Sequence, residues 1–381
     1  MDFSLTEQQA RFKEAVVKFS QQELNNGVIE RERREEFYWD GWKKCADFGI
    51  QGLPIPKKYG GLEADILTCL VTMEGLGYGC RDGGLLFAIN SHMWTCEIPI
   101  LKFGTDEQKQ KYLPGLCKGT LVGGHAMTEA DAGSDAFSLR CKAVKSGNKY
   151  ILNGTKMFIS NGPIADVLIV FAVTDKSKGF AGISAFLVEK DFPGFYVGKQ
   201  LSKMGLRTSP TAEVILRDCE LPIENRLGKE GMGAAIFNSE MEWERSCLFA
   251  CHVGAMERLL ERCVMYAQER HQFGKAIGKF QSVSHKIADM KIAIELSRLI
   301  LYKVAWMKGE GKKAPVESAI AKLYISESYV TSCLDAVQIH GGYGYMTEFG
   351  IERTLRDSIA GKIYSGTSEI QKNIIASWLG L

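Results

Sequence analysis

Lys149-Tyr-Ile-Leu-Asn-Gly-Thr-Lys-Met-Phe-Ile-Ser160 runs into Asn161-Gly-Pro-Ile-Ala-Asp166 and on through Val167-Leu-Ile-Val-Phe-Ala-Val173. Three short β-rich runs, 149–152, 157–160 and 166–173, are separated only by Asn, Gly and Pro residues that punctuate strands. Two more runs follow at 183–188 and 212–216, and Ser146-Gly147-Asn148 is a further turn. Connections this short leave no room for crossover helices, so they predict an antiparallel barrel or sandwich rather than a parallel sheet.

On both sides the pattern turns helical. Upstream, Thr6 with Gln9 makes a capping box, and Phe12, Val16 and Phe19 then share one face. Turn clusters at residues 54–61 and 103–106 punctuate this part, and residues 115–120 close it. Downstream, long amphipathic stretches at 233–268, 280–308, 314–339 and 367–379 suit a four-helix bundle. The predicted fold is therefore α+β, with an N-terminal all-α domain (1–118), a middle antiparallel β-barrel or sandwich (119–228) and a C-terminal helical bundle (229–381).

Composition narrows the function. The 381 residues are 45% hydrophobic and 24% charged, ordinary globular values, and exceed what one core usually fills. A net charge of +2 without a basic stripe argues against nucleic acid. The eleven cysteines are odd in number, scattered and without Cys-x-x-Cys or zinc-like spacing, so no metal is expected and a reducing cytoplasm is the natural compartment. The start, Met1-Asp-Phe-Ser-Leu-Thr-Glu7, has neither an apolar leader core nor an Arg-rich transit pattern. The longest apolar run, residues 167–173, is too short for a bilayer, so no membrane association is expected.

Phosphate-loop, dinucleotide-fold, zincin and nucleophile-elbow motifs are missing from the sequence. Glu244 stands out instead. At about 100° per residue, Phe237, Met241, Leu248, Cys251 and Ala255 fall on one stripe, and Glu244 lies inside it. Glu242 and Arg245 point well away, and Glu240 lies at the edge. A carboxyl on an apolar face loses hydration and its pKa rises, which suits a base near neutral pH. A buried Glu satisfied by a neighbouring Arg is the structural alternative. Two further segments carry chemistry. Ala126-Met-Thr-Glu-Ala-Asp-Ala-Gly133-Ser134-Asp135 offers hydroxyls and backbone N–H groups to the edge of a planar polar ring. Gln338-Ile-His-Gly341-Gly342-Tyr-Gly344 lets a phosphate or another chain approach its backbone. Either alone reads more often as a structural turn than as a functional one.

Together these segments resemble the acyl-CoA dehydrogenase flavoprotein family. The segment 127–135 fits one of its signatures and 338–357 the other. Further family landmarks, in order, are Lys58-Tyr-Gly-Gly61, Phe103-Gly-Thr-Asp-Glu-Gln-Lys109, Lys156-Met-Phe-Ile-Ser-Asn-Gly162, Arg270-His-Gln-Phe-Gly274 with Phe280-Gln281, and Ile363-Tyr-Ser-Gly-Thr-Ser-Glu-Ile370. The resemblance implies one FAD per subunit of a homotetramer. Ala126, Met127, Thr128, Gly133, Ser134, Phe158, Ile159 and Ser160 are then expected at the flavin ring, and Thr367 and Glu369 at the pyrophosphate and adenosine. Arg270, Phe273, Phe280, Gln281, Gln338, Gly341 and Gly342 are expected to reach the neighbouring subunit's FAD.

Most family members carry the catalytic Glu directly before Gly-Thr-Ser, where this sequence has Ser365. In the isovaleryl-type branch the base comes from a Glu-Arg pair on a middle helix, and Glu244-Arg245 stands at that place. The resemblance thus implies that Glu244 removes the α-proton of an acyl thioester while the β-hydride passes to flavin N5. The Ser365 backbone N–H and the flavin ribityl hydroxyl would bind the thioester oxygen. The sequence also looks like prolyl–carrier-protein dehydrogenases of secondary metabolism (alkaloid pathways of the anatoxin type), in which proline is a thioester on an acyl or peptidyl carrier protein. A short branched, isovaleryl-like CoA thioester is the alternative substrate. An electron-transfer flavoprotein is the acceptor the resemblance implies. A non-catalytic binding relative, marked by loss of the usual Glu at Ser365, is the alternative from another class.

Overall fold

The computed structural model describes residues 4–381; the acidic start at residues 1–3 lies outside the described residues. The chain opens with helices α1 (Glu7–Glu23), α2 (Val28–Arg34), α3 (Trp39–Phe48), α4 (Ile66–Gly79), α5 (Gly83–His92), α6 (Ile98–Phe103) and α7 (Asp106–Cys117). The expected capping box starts α1: the Gln9 N–H donates to Thr6 Oγ1 (3.2 Å) and the Thr6 N–H to Gln9 Oε1 (3.0 Å). Thr105 and Gln108 start α7 in the same way.

The sheet then comprises β1 (Gly123–Ala126), β2 (Lys142–Ser146), β3 (Lys149–Ser160), β4 (Val167–Val173), β5 (Ile183–Glu189), β6 (Phe195–Gln200), β7 (Thr211–Pro222) and β8 (Arg226–Leu227), ordered β6-β7-β3-β2-β4-β5-β8, with β1 also on β4. Pairing is antiparallel as expected, except that β1 runs parallel to β4 and β2 meets β4 in parallel at Lys142 and Val173. The parallel pair was not legible because Gly123-Gly-His-Ala126 carries no strand-forming pattern. The apolar run of β4 is explained by burial on both faces. Its Val167, Ile169 and Phe171 pack toward Leu113, Leu116 and Ile236 of the helices, while Leu168, Val170 and Ala172 pack on Leu152, Val214 and Leu216 of β3 and β7.

After the sheet come α8 (Gly233–Glu269), the hairpin β9 (His271–Gln272) and β10 (Lys275–Ala276), α9 (Gln281–Gly309), α10 (Pro315–His340), α11 (Gly342–Tyr345), α12 (Ile351–Ala360) and α13 (Ser368–Trp378). The expected stretches are α8, α9, α10 and α13; α11, of four residues, is too short to show a period, whereas α12, of ten, was missed although it is amphipathic. Helices before and after the sheet share one apolar core, with Trp42, Met73, Leu76, Phe249, Met256 and Ile325 among its members. The crossing of α4 on α8 is backbone-close: a Cβ at Gly77 would fall 2.0 Å from the Cys251 carbonyl oxygen. All eleven cysteines are buried free thiols. Among the described residues no helix is long and apolar enough to cross a membrane, and no His/Cys/Asp/Glu group is placed to hold a metal ion.

Candidate active site

Glu244 lies on the buried face of α8, as the stripe predicted, only 5% exposed between buried Met241 and Leu248. Its Oε2 is buried and has no hydrogen-bond partner. Burial raises its pKa, and His125, the Ser365 hydroxyl, Arg245 and Lys322 pull it partly back. Arg245 corrects the helical-wheel expectation. Its Cα leaves the stripe, but the long side chain folds back, and Nε donates to the Ser365 carbonyl at 3.0 Å. The Gln371 amide donates to the same carbonyl at 3.1 Å. Ser365 is thereby fixed at φ +56°, a left-handed conformation that a non-glycine residue holds only under constraint. Its hydroxyl is buried beside the Glu244 carboxyl, and its backbone N–H donates to no described residue.

The structure adds a pair that helical periodicity placed only at the edge. Glu240, one turn before Glu244, is fully buried and accepts from or donates to His125 Nδ1 at 2.7 Å. Burial pushes the Glu240 pKa up to about 7 against the pull of His125, and the Glu244 charge adds to the rise. For His125 burial acts downward, but the Glu240 charge and hydrogen bond win and its pKa is raised. The i, i+4 spacing of Glu240 and Glu244 was a visible signal; its partner on β1, 115 residues away, was not.

His125 leads directly into Ala126, so this pair joins the Glu244 face to the 126–135 segment. Ala126 and Met127 are buried, Thr128 is half-buried, and Gly133 and Ser134 are exposed on the loop beyond. Lys156 Nζ, fully buried, donates to the Met127 carbonyl (3.0 Å) and to Glu129 Oε1 (2.8 Å). Glu129 also accepts the N–H groups of Arg140 and Cys141, which ties down both ends of the 129–140 loop. The Met157 N–H donates to the Thr128 carbonyl at 2.9 Å, which brings the second segment beside the first. Pairing of β3 with β7 slips between Lys156 and Ile159. Phe158 sits in that bulge at φ +59° with 64% of its surface exposed, while Ile159 is buried and Ser160 half-buried. A bulge re-aims a side chain that regular alternation would fix. Thr367 caps α13, its hydroxyl accepting from the Ile370 N–H, and Glu369 is exposed on that helix's first turn.

Sequence profiles now bear on this geometry. Those of the acyl-CoA dehydrogenase N-terminal, middle and C-terminal domains match residues 6–120, 124–219 and 231–380. The chain belongs to the acyl-CoA dehydrogenase family. It is 44% identical over 381 residues to a Serratia L-prolyl-[peptidyl-carrier protein] dehydrogenase, covering 100% of this chain and 99% of that one. The crystal structure of the prolyl acyl carrier protein oxidase AnaB matches with a TM-score of 0.98 and 53% identity over 99% of this chain and 100% of that one. A structure of PigA with FAD and proline matches at 0.98 and 43% over 100% of both chains.

The remaining predicted residues lie elsewhere in the subunit. Arg270 follows α8 at its C-terminus, 26 residues past Glu244, or about 39 Å along a helix at 1.5 Å per residue. Arg270, Gly341 and Gly342 line one surface groove, where Tyr266 stacks on His340 at 4.4 Å. Gln338 and Gln281 are exposed, Phe280 is half-buried, and Phe273 is 93% exposed with its ring 6.1 Å from Phe280. Nothing stands within 4 Å of where a Cβ at Gly341 or Gly342 would be, whereas one at Gly344 would meet the Val337 carbonyl at 2.6 Å. The first two glycines leave open backbone; the third serves packing.

Proposed function

We propose that the protein binds FAD and uses Glu244 to dehydrogenate an acyl thioester between its α and β carbons, the acyl group being prolyl and its carrier an acyl or peptidyl carrier protein. The observation that carries this reading is Glu244 itself, a buried carboxyl with a free oxygen facing the constrained turn at Ser365, in a chain whose full-length relatives act on prolyl carriers.

The residues present fit FAD. The bulge presents Phe158, with Ile159 and Ser160 behind it, beside the 126–128 segment and the exposed Gly133 and Ser134. The N-terminus of α13, with Thr367 and Glu369, suits a pyrophosphate. Bound there, FAD supplies the acceptor for the β-hydride. The chain's own residues do the remainder. Glu244 takes the α-proton, and burial, by raising its pKa above the ordinary carboxyl value, favours that uptake. The Ser365 N–H binds the thioester oxygen, where negative charge develops. Arg245 and Gln371 hold that turn through the Ser365 carbonyl, so the donor is in place before substrate arrives.

In this reading the distant set of Arg270, Phe273, Phe280, Gln281, Gln338, Gly341 and Gly342 serves a neighbouring subunit's FAD in a homotetramer. Exposed apolar side chains on α9, among them Ile292, Leu296, Leu299 and Trp306, support such assembly. An electron-transfer flavoprotein as acceptor and a reducing cytoplasm complete the reading, the latter supported by eleven free buried thiols. Anaerobic titration of the FAD-loaded protein tests it. Prolyl–carrier protein is expected to bleach the flavin, and bleaching by isovaleryl-CoA alone would overturn the substrate assignment.

A further inference from the structure

Past Glu244 the same face of α8 continues through Leu248 and Cys251, which line a partly open cavity of about 50 Å³. Leu86 and Phe87 of α5 and Tyr364, the residue before Ser365, form the facing wall. The cavity therefore begins where the proposed base and oxygen-binding turn end, which is where the acyl group of a bound thioester has to lie. At roughly 10–15 Å³ per water-sized group it takes about three to five non-hydrogen atoms, the size of a small ring.

Its walls are part apolar and part polar, and several of the polar groups are already engaged. Asn90 also lines it, but its amide is used: Nδ2 donates to the Leu86 carbonyl (2.8 Å) and Oδ1 accepts from Trp94 Nε1 (2.6 Å). At the far end Arg258 donates to the carbonyls of Gly77, Tyr78 and Cys80, and Asp357 accepts the Leu206 N–H. Tyr364 Oη also lines it, 3.0 Å from His252 Nε2, with His252 Nδ1 buried and partnerless and the Tyr329 ring 4.8 Å from the imidazole. Burial keeps this pair uncharged, pushing His252 down to about 3 and the Tyr364 phenol well above its usual value. The pair shares one proton and has one to spare. If His252 donates, the Tyr364 hydroxyl has a free proton to give; if Tyr364 donates, its oxygen has a free lone pair. A neutral secondary amine, with one N–H and one lone pair, answers either state.

We propose that Tyr364, held by His252, recognises the ring nitrogen of the acyl group, so that the cavity selects a small cyclic secondary amine over a carbocycle of the same shape. This rests on the prolyl-thioester reading and deepens it. A site built to hydrogen-bond a substrate N–H rejects the analogue lacking it, because its own polar group is then left buried and unpaired.

The test compares anaerobic flavin reduction of the FAD-loaded protein by prolyl–carrier protein and by cyclopentanecarbonyl–carrier protein, which differ only by NH against CH2. The wild type is expected to favour the prolyl substrate by at least roughly 100-fold in kcat/KM, and Tyr364→Phe to lower that ratio at least about tenfold. His252→Leu is expected to lower it in the same direction. Taking a ratio cancels general damage to the site, since both substrates suffer it equally. A wild-type ratio near one, or a ratio unmoved by Tyr364→Phe, overturns the inference while leaving the prolyl reading intact. A wild-type protein that prolyl–carrier protein does not reduce overturns both.

Discussion

Lys322 shows how single residues set the site's chemistry. Its Nζ is buried on α10 with no hydrogen-bond partner, and burial brings its pKa down to about 8. It is one of the positive groups that hold back the rise at Glu244. A base acts deprotonated, and removing a nearby positive charge favours its protonated form. Lys322→Met is therefore expected to move the acid limb of flavin reduction to higher pH, read from the pH profile of the reductive rate; an unmoved limb would sever Lys322 from the base. At this scale the sequence was informative where one helix decides the outcome. Glu244 fell on the buried stripe because Met241, Leu248 and Cys251 surround it at helical spacing. Arg245, Lys322 and His125 were not legible in their roles, because each reaches the site by side-chain length or from another element.

Among the elements, the Glu129–Lys156 pair holds the loop that follows β1. Lys156 is fully buried on β3, and its ammonium is met by Glu129 and the Met127 carbonyl. Glu129→Gln removes the counter-charge and leaves a buried ammonium uncompensated, a change that costs about 3–5 kcal/mol. Thermal denaturation of the apoprotein should show a clear fall in Tm, with part of it recovered by adding Lys156→Met; no fall would mean that the loop is held otherwise. The strands themselves were readable from alternation and turn residues. The slip that exposes Phe158 was not, since a bulge depends on the register of β3 against β7, some 50 residues apart in pairs such as Ile159 with Ala212.

Across the whole molecule, the chain carries its candidate residues in two places that one subunit does not bring together. Glu244 and its neighbours lie near the sheet, whereas Phe273 stands exposed on the β9–β10 hairpin beyond the far end of α8. If a neighbouring subunit unites them, Phe273→Asp should weaken assembly and FAD retention together, seen by sedimentation velocity and by the flavin absorbance of the purified protein; a fully loaded tetramer would refute that arrangement. The α, β, α order was legible because pattern and turn chemistry are local, while the shared core of the first and last helices depends on contacts such as Met73 with Cys251 that no local pattern records. The central claim is that Glu244 takes the α-proton of the thioester. Anaerobic stopped-flow mixing of FAD-loaded Glu244→Gln with prolyl–carrier protein tests it most directly. The variant is expected to be a yellow, folded protein whose flavin is reduced about 10²–10⁴-fold more slowly than in the wild type; reduction at a near-wild-type rate would contradict proton abstraction by Glu244.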